Sequence, residues 1–282
     1  MVIASSIVEM RSLRNSIAIK SLGFVPTMGF LHEGHLSLIR RARAENDFVA
    51  VSIYVNPTQF SEDEDLATYP RDLERDLEFL RKENVDFVFT PKDEELYSTG
   101  FQTFVTVKQA SQPLEGVSRP SHFQGVSTIL AKLFNILSPT RVYFGQKDAQ
   151  QCVVVQQLIL DLNYDISIIV CPIVREADGL ALSSRNKYLS PEQRHAAPIL
   201  FRALSSAKQA VLEGERDGED LRRLMSNMIN AESLAKLDYV SAAHPLSLQE
   251  LDQIDDSVLL STAVFFGTTR LIDNILTSEM ED

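Results

Sequence analysis

Residues 17 to 57 read IAIKSLGFVPTMGFLHEGHLSLIRRARAENDFVAVSIYVNP, and the order of patterns in this stretch decides the architecture. IAIKSLGFVP (17 to 26) and DFVAVSIYVNP (47 to 57) are apolar, rich in β-branched and aromatic residues, and each stops at a proline, as buried strands do. Between them LSLIRRARAE has helical spacing, with Leu36, Ile39 and Arg43 on one side and Leu38 and Ala42 on a neighbouring one. The unit is strand, helix, strand.

The pattern recurs downstream. PRDLERDLEFLRKEN places Leu73, Leu77 and Leu80 at helical intervals before the strand-like VDFVFTP, and FQTFVTV (101 to 107) reads as another short strand. FQGVSTILAKLFNIL aligns Val126, Ile129, Leu130, Leu133 and Leu137 on one helical stripe; RVYFG, DAQQCVVVQQLILDLN and ISIIVCPIV then read as strand, helix and strand. Alternation of this kind predicts an α/β fold with a Rossmann-like, doubly wound parallel sheet. After Val174 the polar, glycine-bearing READGLALSSRNKYLS has no sustained period and reads as a domain hinge. Pro191 then starts a helix, PEQRHAAPILFRALSSAKQAVLEG, at a position where proline is tolerated. EDLRRLMSNMINAE reads as a further helix, and KLDYVSAAHPL and SVLLSTAVFFGTTRLIDNIL as strands. The expected domains are residues 1 to 173 and a smaller α+β unit, 174 to 282. Repeats and low-complexity tracts are absent.

Composition narrows the function. A formal net charge of −12 gives no broad electrostatic hold on nucleic acid and favours a small ligand, whose phosphates a local positive pocket can still attract. Cys152 and Cys171 lie in apolar runs outside any CxxC pair and read as reduced core residues. The N-terminal MVIASSIVEMRSLRN lacks the apolar stretch of a signal peptide, and no run approaches the ~18 apolar residues of a membrane span. A cytoplasmic protein without membrane contact is expected.

In an open parallel sheet, ligands sit beyond the carboxyl ends of the strands, where helix N-termini present free amides. PTMGFLHEGH (26 to 35) occupies such a place. Gly29 and Gly34 have P-loop spacing, but His35 and Leu36 stand where that loop needs Lys and Ser or Thr. His32 and His35 can instead face one phosphate chain, with Gly34 between them. A pair of surface histidines at a helix start fits the same spacing, as does a metal site, although no third and fourth ligand at suitable intervals is evident.

The turn is similar to the H-x-G-H signature of the nucleotidyltransferase superfamily, which includes class I aminoacyl-tRNA synthetases. With YVNPTQF, RPSHFQGVSTILAKLFNI, YFGQKDAQQ and VREADGLALSSRNKYLS, the chain resembles the pantoate–β-alanine ligases over nearly its whole length, most weakly in the last hundred or so residues. The resemblance implies a two-step reaction. The carboxylate of pantoate attacks the α-phosphorus of ATP, releasing pyrophosphate, and the amine of β-alanine then displaces AMP from pantoyl adenylate to give pantothenate.

By the same resemblance, His32 and His35 contact the ATP phosphates, with His35 the stronger candidate for donation in the transition state, and Met28 lines the wall of the turn. Gly145, Lys147 and Asp148 serve the nucleotide: close backbone approach, a point charge, and a helix cap or ribose contact. Val174 and Leu182 join the ATP-binding residues, and Ser183, Ser184 and Arg185 occupy the place of the superfamily's mobile K-M-S-K-S loop, where hydroxyls and a guanidinium grip departing pyrophosphate. Gln59 and Gln151 match the pantoate-binding glutamines, with Asn56 and Arg119 in the same site. Mg2+ accompanies ATP, its protein ligands unknown: some relatives place metal-associated acids after the match to Tyr69-Pro70-Arg71, where this chain offers Asp72, Glu74 and Asp76 in a different arrangement. The acidic SEDED (61 to 65) reads as solvated surface. Two departures stand out, Gln124 where relatives often have Arg, and Phe30 in place of a smaller residue. A homodimer is implied. Another nucleotidyltransferase, or a non-catalytic nucleotide-binding protein on the same fold, are the competing readings; YVNPTQF and KDAQQ favour pantoate over the first, and retention of both histidines, Lys147 and the SSR loop argues against the second.

Overall fold

The computed structural model describes residues 1–61 and 66–277, so all of the SEDED run but Ser61 lies outside the described residues. The chain divides into two compact units, one of Met1–Gly145 and Gln151–Pro172, the other of Gln146–Gln150 and the chain from Ile173 onward.

In the first unit, β1 (Val2–Ala4), α1 (Ile7–Ser16), β2 (Leu22–Thr27), α2 (Glu33–Glu45), β3 (Phe48–Ile53), α3 (Leu73–Lys82) and β4 (Phe87–Phe89) follow in order. The short α4 (Asp93–Leu96) and α5 (Glu115–Ser118), then α6 (His122–Leu137), β5 (Arg141–Gly145), α7 (Ala149–Asp161) and β6 (Ser167–Cys171) complete the series. Six strands form one sheet in the order β1-β4-β3-β2-β5-β6, and every pairing is parallel. This is the doubly wound sheet that the alternation predicts. Val25, Ile39, Val49, Val51, Leu80 and Val88 meet in a core between the sheet and α2 and α3. Arg43, on the apolar side of α2 by spacing, is held instead by Asp86 at 2.6 Å and the Asn46 carbonyl at 2.7 Å.

The order reverses between β2 and β5, the topological switch at which such sheets bind ligands. Those two strands pair only through Gly23 with Arg141 and Phe24 with Val142. From Val25 and Tyr143 onward their register ends, so the sheet opens toward the carboxyl ends, where the PTMGFLHEGH turn leaves β2.

The second unit contains α8 (Pro191–Ala196), α9 (Ile199–Leu212), α10 (Gly218–Asn230), β7 (Ala235–Ala243), β8 (Leu259–Phe266) and β9 (Thr269–Leu276). The strands form an antiparallel sheet in chain order. Leu200, Leu204, Leu221, Met225, Val264 and Phe266 make its core, so it is the small α+β unit expected.

Several local expectations fail for identifiable reasons. The strand expected from Ile17 begins at Leu22: α1 ends at Ser16, Lys20 donates back to the Ile17 carbonyl at 2.9 Å, and Ile19 is 98% exposed. Helix α1 itself has a sequence signature, the capping box Ser6-Ile-Val-Glu9. FQTFVTV is not a strand, and the Val105 amide donates to Thr128 Oγ1 of α6 at 3.0 Å rather than to a neighbouring backbone. The helix from Pro191 breaks before Ile199, because Pro198 has no N–H to continue it. Cys152 and Cys171 are buried and free, as read. Among the described residues, no helix is long and apolar enough to cross a membrane.

Candidate active site

The turn after β2 is built from backbone outward. Gly29 and Phe30 both take positive φ, 81° and 51°, the first natural for glycine and the second rare for a bulky residue. This reversal turns two successive amides, Phe30 N–H and Leu31 N–H, toward the Asp76 carboxylate of α3, each at 2.7 Å. Successive amides in such a conformation form an anion-binding concavity. Here its anion belongs to the protein. Asp76 is 1% exposed, and burial raises its carboxyl above the ordinary range while the bonds from Leu31 and Phe30 pull it down. Phe30, a departure from the family pattern, lies under the Arg75 guanidinium at 5.1 Å.

His32 is the N-cap of α2. Its Nδ1 accepts the Gly34 amide at 3.2 Å, and the Nδ1 of His35 accepts the His32 amide at 3.3 Å. The two imidazoles thus play the parts of a reciprocal capping box, their centroids 4.1 Å apart. A neutral ring accepting at Nδ1 carries its proton on Nε2. Both rings therefore present Nε2–H donors at the amino end of a helix, where the dipole favours an anion.

A second cluster adjoins this turn in the same unit. Gln59 Nε2 donates to Met28 Sδ at 3.1 Å, its Oε1 accepts from Asn56 Nδ2 at 3.2 Å, and its backbone carbonyl accepts from Arg119 Nη2 at 3.4 Å. His122 Nδ1 lies 2.9 Å from the same carbonyl, which obliges that nitrogen to donate. Met28, Asn56, Gln59 and Arg119 thus come together. Asn56 is 1% exposed and also bonds to the Gly125 carbonyl, Thr58 Oγ1 and Tyr97 OH, so its amide braces Gln59 from behind rather than facing solvent. Gly125 is what admits α6 to this place: a Cβ there would stand 2.3 Å from the Thr58 carbonyl oxygen. Gln124, the other departure, donates to Thr106 Oγ1 at 3.0 Å and brings no charge. Gln151 lies half-buried in the first turn of α7.

The remaining candidates belong to the second unit, apart from Gly145, which ends β5. Lys147 and Asp148 sit in a single 3-10 turn, Gln146–Asp148, with Nζ 3.6 Å from Oδ1. Val174 and Leu182 are joined, the Leu182 amide donating to the Val174 carbonyl at 3.0 Å, and Arg175 bridges Ala181 in antiparallel fashion. Ser183 caps the 3-10 turn Ser184–Tyr188 by accepting the Arg185 amide at 3.2 Å. Sequence reasoning missed the anchors of these segments. Arg175 pairs with Asp273 of β9 at 2.6 and 2.9 Å, and Asn274 bonds the backbone of Gln146 and Lys147. The one available signal was an acid and an amide interrupting the apolar run of β9. Asp76 was visible only as an acid near the site, without its role. Among the described residues, no group of three or more His, Cys, Asp and Glu could hold a metal ion.

Comparison with known proteins gives this geometry a family. The Pantoate-beta-alanine ligase profile matches residues 2–276. A pantothenate synthetase of Chloroflexus aggregans is 57% identical over 277 residues, covering 98% of this chain and 99% of its own. One of Roseiflexus castenholzii is 56% identical over 274 residues, covering 97% and 98%. The crystal structure of the Thermus thermophilus pantothenate synthetase superposes with a TM-score of 0.94 at 44% identity, covering 98% of this chain and 99% of that one. A pantoate-beta-alanine ligase from Francisella tularensis, solved in complex with β-γ ATP and β-alanine, superposes with a TM-score of 0.80 at 38% identity, covering 99% of both. By motif, fold and similarity along its whole length, the chain belongs to the pantoate-β-alanine ligase family.

Proposed function

We propose that this enzyme condenses pantoate with β-alanine at the expense of ATP, yielding pantothenate, AMP and pyrophosphate. One observation carries the reading: relatives at 56% and 57% identity over nearly all of both chains are pantothenate synthetases. In the first step a pantoate carboxylate oxygen bonds to the α-phosphorus and the bond to pyrophosphate breaks. In the second the β-alanine nitrogen bonds to the acyl carbon, AMP leaves with the former carboxylate oxygen, and the amine gives up a proton.

The Nε2–H groups of His32 and His35 are donors for oxygens that gain charge as pyrophosphate departs. A fixed donor of this kind is worth ~10²-fold or more in rate, because it needs no reorganisation during the reaction. Lys147 supplies a compact positive charge to phosphates, and Ser183, Ser184 and Arg185 offer hydroxyls and a planar guanidinium to the leaving group. Gly34, Gly145, Asp148, Val174 and Leu182 line the nucleotide's backbone contacts. Met28 lines the wall of the ATP-binding turn, and Gln59, Gln151 and Arg119 face pantoate, with Asn56 holding Gln59 in orientation.

Mg2+ enters with ATP as part of the substrate. The acids of α3 do not fit a metal cage: both Asp76 oxygens accept backbone amides, and Asp72 caps the helix by accepting the Arg75 amide at 3.2 Å. A magnesium ion held by phosphate oxygens and water needs no such cage. A cytoplasmic homodimer completes the proposal on family resemblance, and light scattering measures the assembly. The deciding assay mixes protein, Mg-ATP, pantoate and β-alanine. AMP with pantothenate is expected; ADP, or turnover without pantoate, would falsify the reading.

A further inference from the structure

Two consecutive residues near the end of β9 hold both phosphate-directed segments of the second unit. Asn274 is 3% exposed, and both its amide donors and its amide oxygen are engaged. Nδ2 donates to the Gln146 carbonyl at 3.0 Å and to the Lys147 carbonyl at 2.9 Å, while Oδ1 accepts from Gln146 Nε2 at 3.0 Å. These bonds grip the peptide from which the Lys147 side chain springs. Asp273, also 3% exposed, forms the bidentate pair with Arg175, whose guanidinium stacks 4.3 Å from the Phe201 ring and donates to the Gly179 and Asn274 carbonyls. Arg175 opens the antiparallel segment that Ala181 closes, and Asn186 donates to the Ala181 carbonyl at 3.1 Å just after Ser183–Arg185. Burial raises the Asp273 carboxyl while Arg175, then the Asn274 backbone amide, pull it down.

A buried acid and a buried amide are costly in a strand unless every bond is made. An apolar pair would hold a sheet together with less demand. What the polar pair adds is direction, since a hydrogen bond specifies which atoms meet and at what angle. We infer that Asn274 and Asp273 are positioning residues, holding the Lys147 turn and the loop entering Ser183–Arg185 in one fixed register on β9. They act through Lys147 and Arg185 and need not touch substrate.

The inference rests on the roles given to Lys147 and Arg185 above, and a coupling experiment separates the two. Pantoate-dependent pyrophosphate release is measured for Asn274→Ser, Lys147→Ala and the double variant, with thermal midpoints recorded for each. Asn274→Ser is expected to lower kcat by on the order of 10-fold to 100-fold, as a small misplacement does. Its KM for β-alanine should stay within about twofold, and the double variant should be no slower than Lys147→Ala, because residues acting as a unit are not additive. Unchanged kcat in folded Asn274→Ser, or losses that multiply in the double variant, overturns the positioning role alone. Parental turnover in Lys147→Ala removes the role on which it depends and overturns both. Should Asn274→Ser not fold, Asp273→Asn, which keeps volume but halves the pairing with Arg175, is read against Arg185→Ala by the same rule.

Discussion

His35 is the residue on which two assignments meet. Its Nδ1 accepts the His32 amide, and the proposed reaction uses its Nε2 as the donor to phosphate, so substitution tests both at once. His35→Ala is expected to lower pyrophosphate release by ~10² or more, the worth of a preorganised donor. Asn can still accept the capping bond but has no group at the Nε2 position, so His35→Asn should recover thermal midpoint without recovering rate. Asp76 is the complementary case, a residue that shapes the turn from outside it. Asp76→Asn replaces one acceptor by a donor that faces a backbone N–H, and a buried unsatisfied amide costs about 1–3 kcal/mol. A urea titration should register that loss, and the KM for ATP should rise as the turn relaxes. A parental KM would show that Gly29 and Phe30 hold their left-handed backbone without the carboxylate.

Elements meet at this site with little tolerance. Helix α6 approaches the Pro57–Gln59 turn so closely that Gly125→Ala must push one of them aside, since the new carbon would also lie 2.5 Å from the Thr58 carbonyl carbon. Overpacking of this sort costs about 1–3 kcal/mol. Gln59 moves with its turn, so the KM for pantoate should rise more than that for ATP, which steady-state kinetics with each substrate varied would detect. In the second unit, Arg194 of α8 donates to Asp178 and Glu176 at 2.6 and 2.7 Å, tying the segment that leads to the SSR loop. The Arg194 hydrogen bond holds the Asp178 carboxyl below its usual range. The folded value being depressed, its contribution is present above the unfolded value of about 3.9 and is lost as pH falls through the folded one. Asp178→Asn should therefore lower stability slightly in the neutral region and leave the acid end nearly unchanged, so that the acid limb of a stability-against-pH curve flattens.

For the whole molecule, a ligand that binds only the folded chain stabilises it by mass action. ATP at roughly 100 times its Kd is expected to add about 2.7 kcal/mol, seen as a rise of several degrees in the melting midpoint. The His32→Ala/His35→Ala variant should lose most of that rise, whereas a variant with damaged pantoate contacts should keep it.

Much of this molecule is legible along the chain because its cause is local. Period and strand composition determined the alternation of elements, and alternation determined a doubly wound sheet, since parallel strands need crossovers that pack helices on both faces. The spacing of His32 and His35 marked a helix start but left its purpose open, although both capping bonds close within three residues. The errors were local too: IAI at 17–19 and FQTFVTV have strand-like composition, but a helix end consumes the first and a side-chain oxygen of α6 takes the amide of the second. Tertiary structure alone decided which groups support the chemistry. Asp76 reaches its amides across 46 and 45 residues, and Asn274 reaches the Lys147 turn across 127. No periodicity records such pairs, because a hydrogen bond between distant segments depends on where the fold brings the two ends. The sequence by itself thus determined the fold class and the place of the paired-histidine turn, while packing determined what holds Phe30 and Leu31, Gln59 and Lys147 in place.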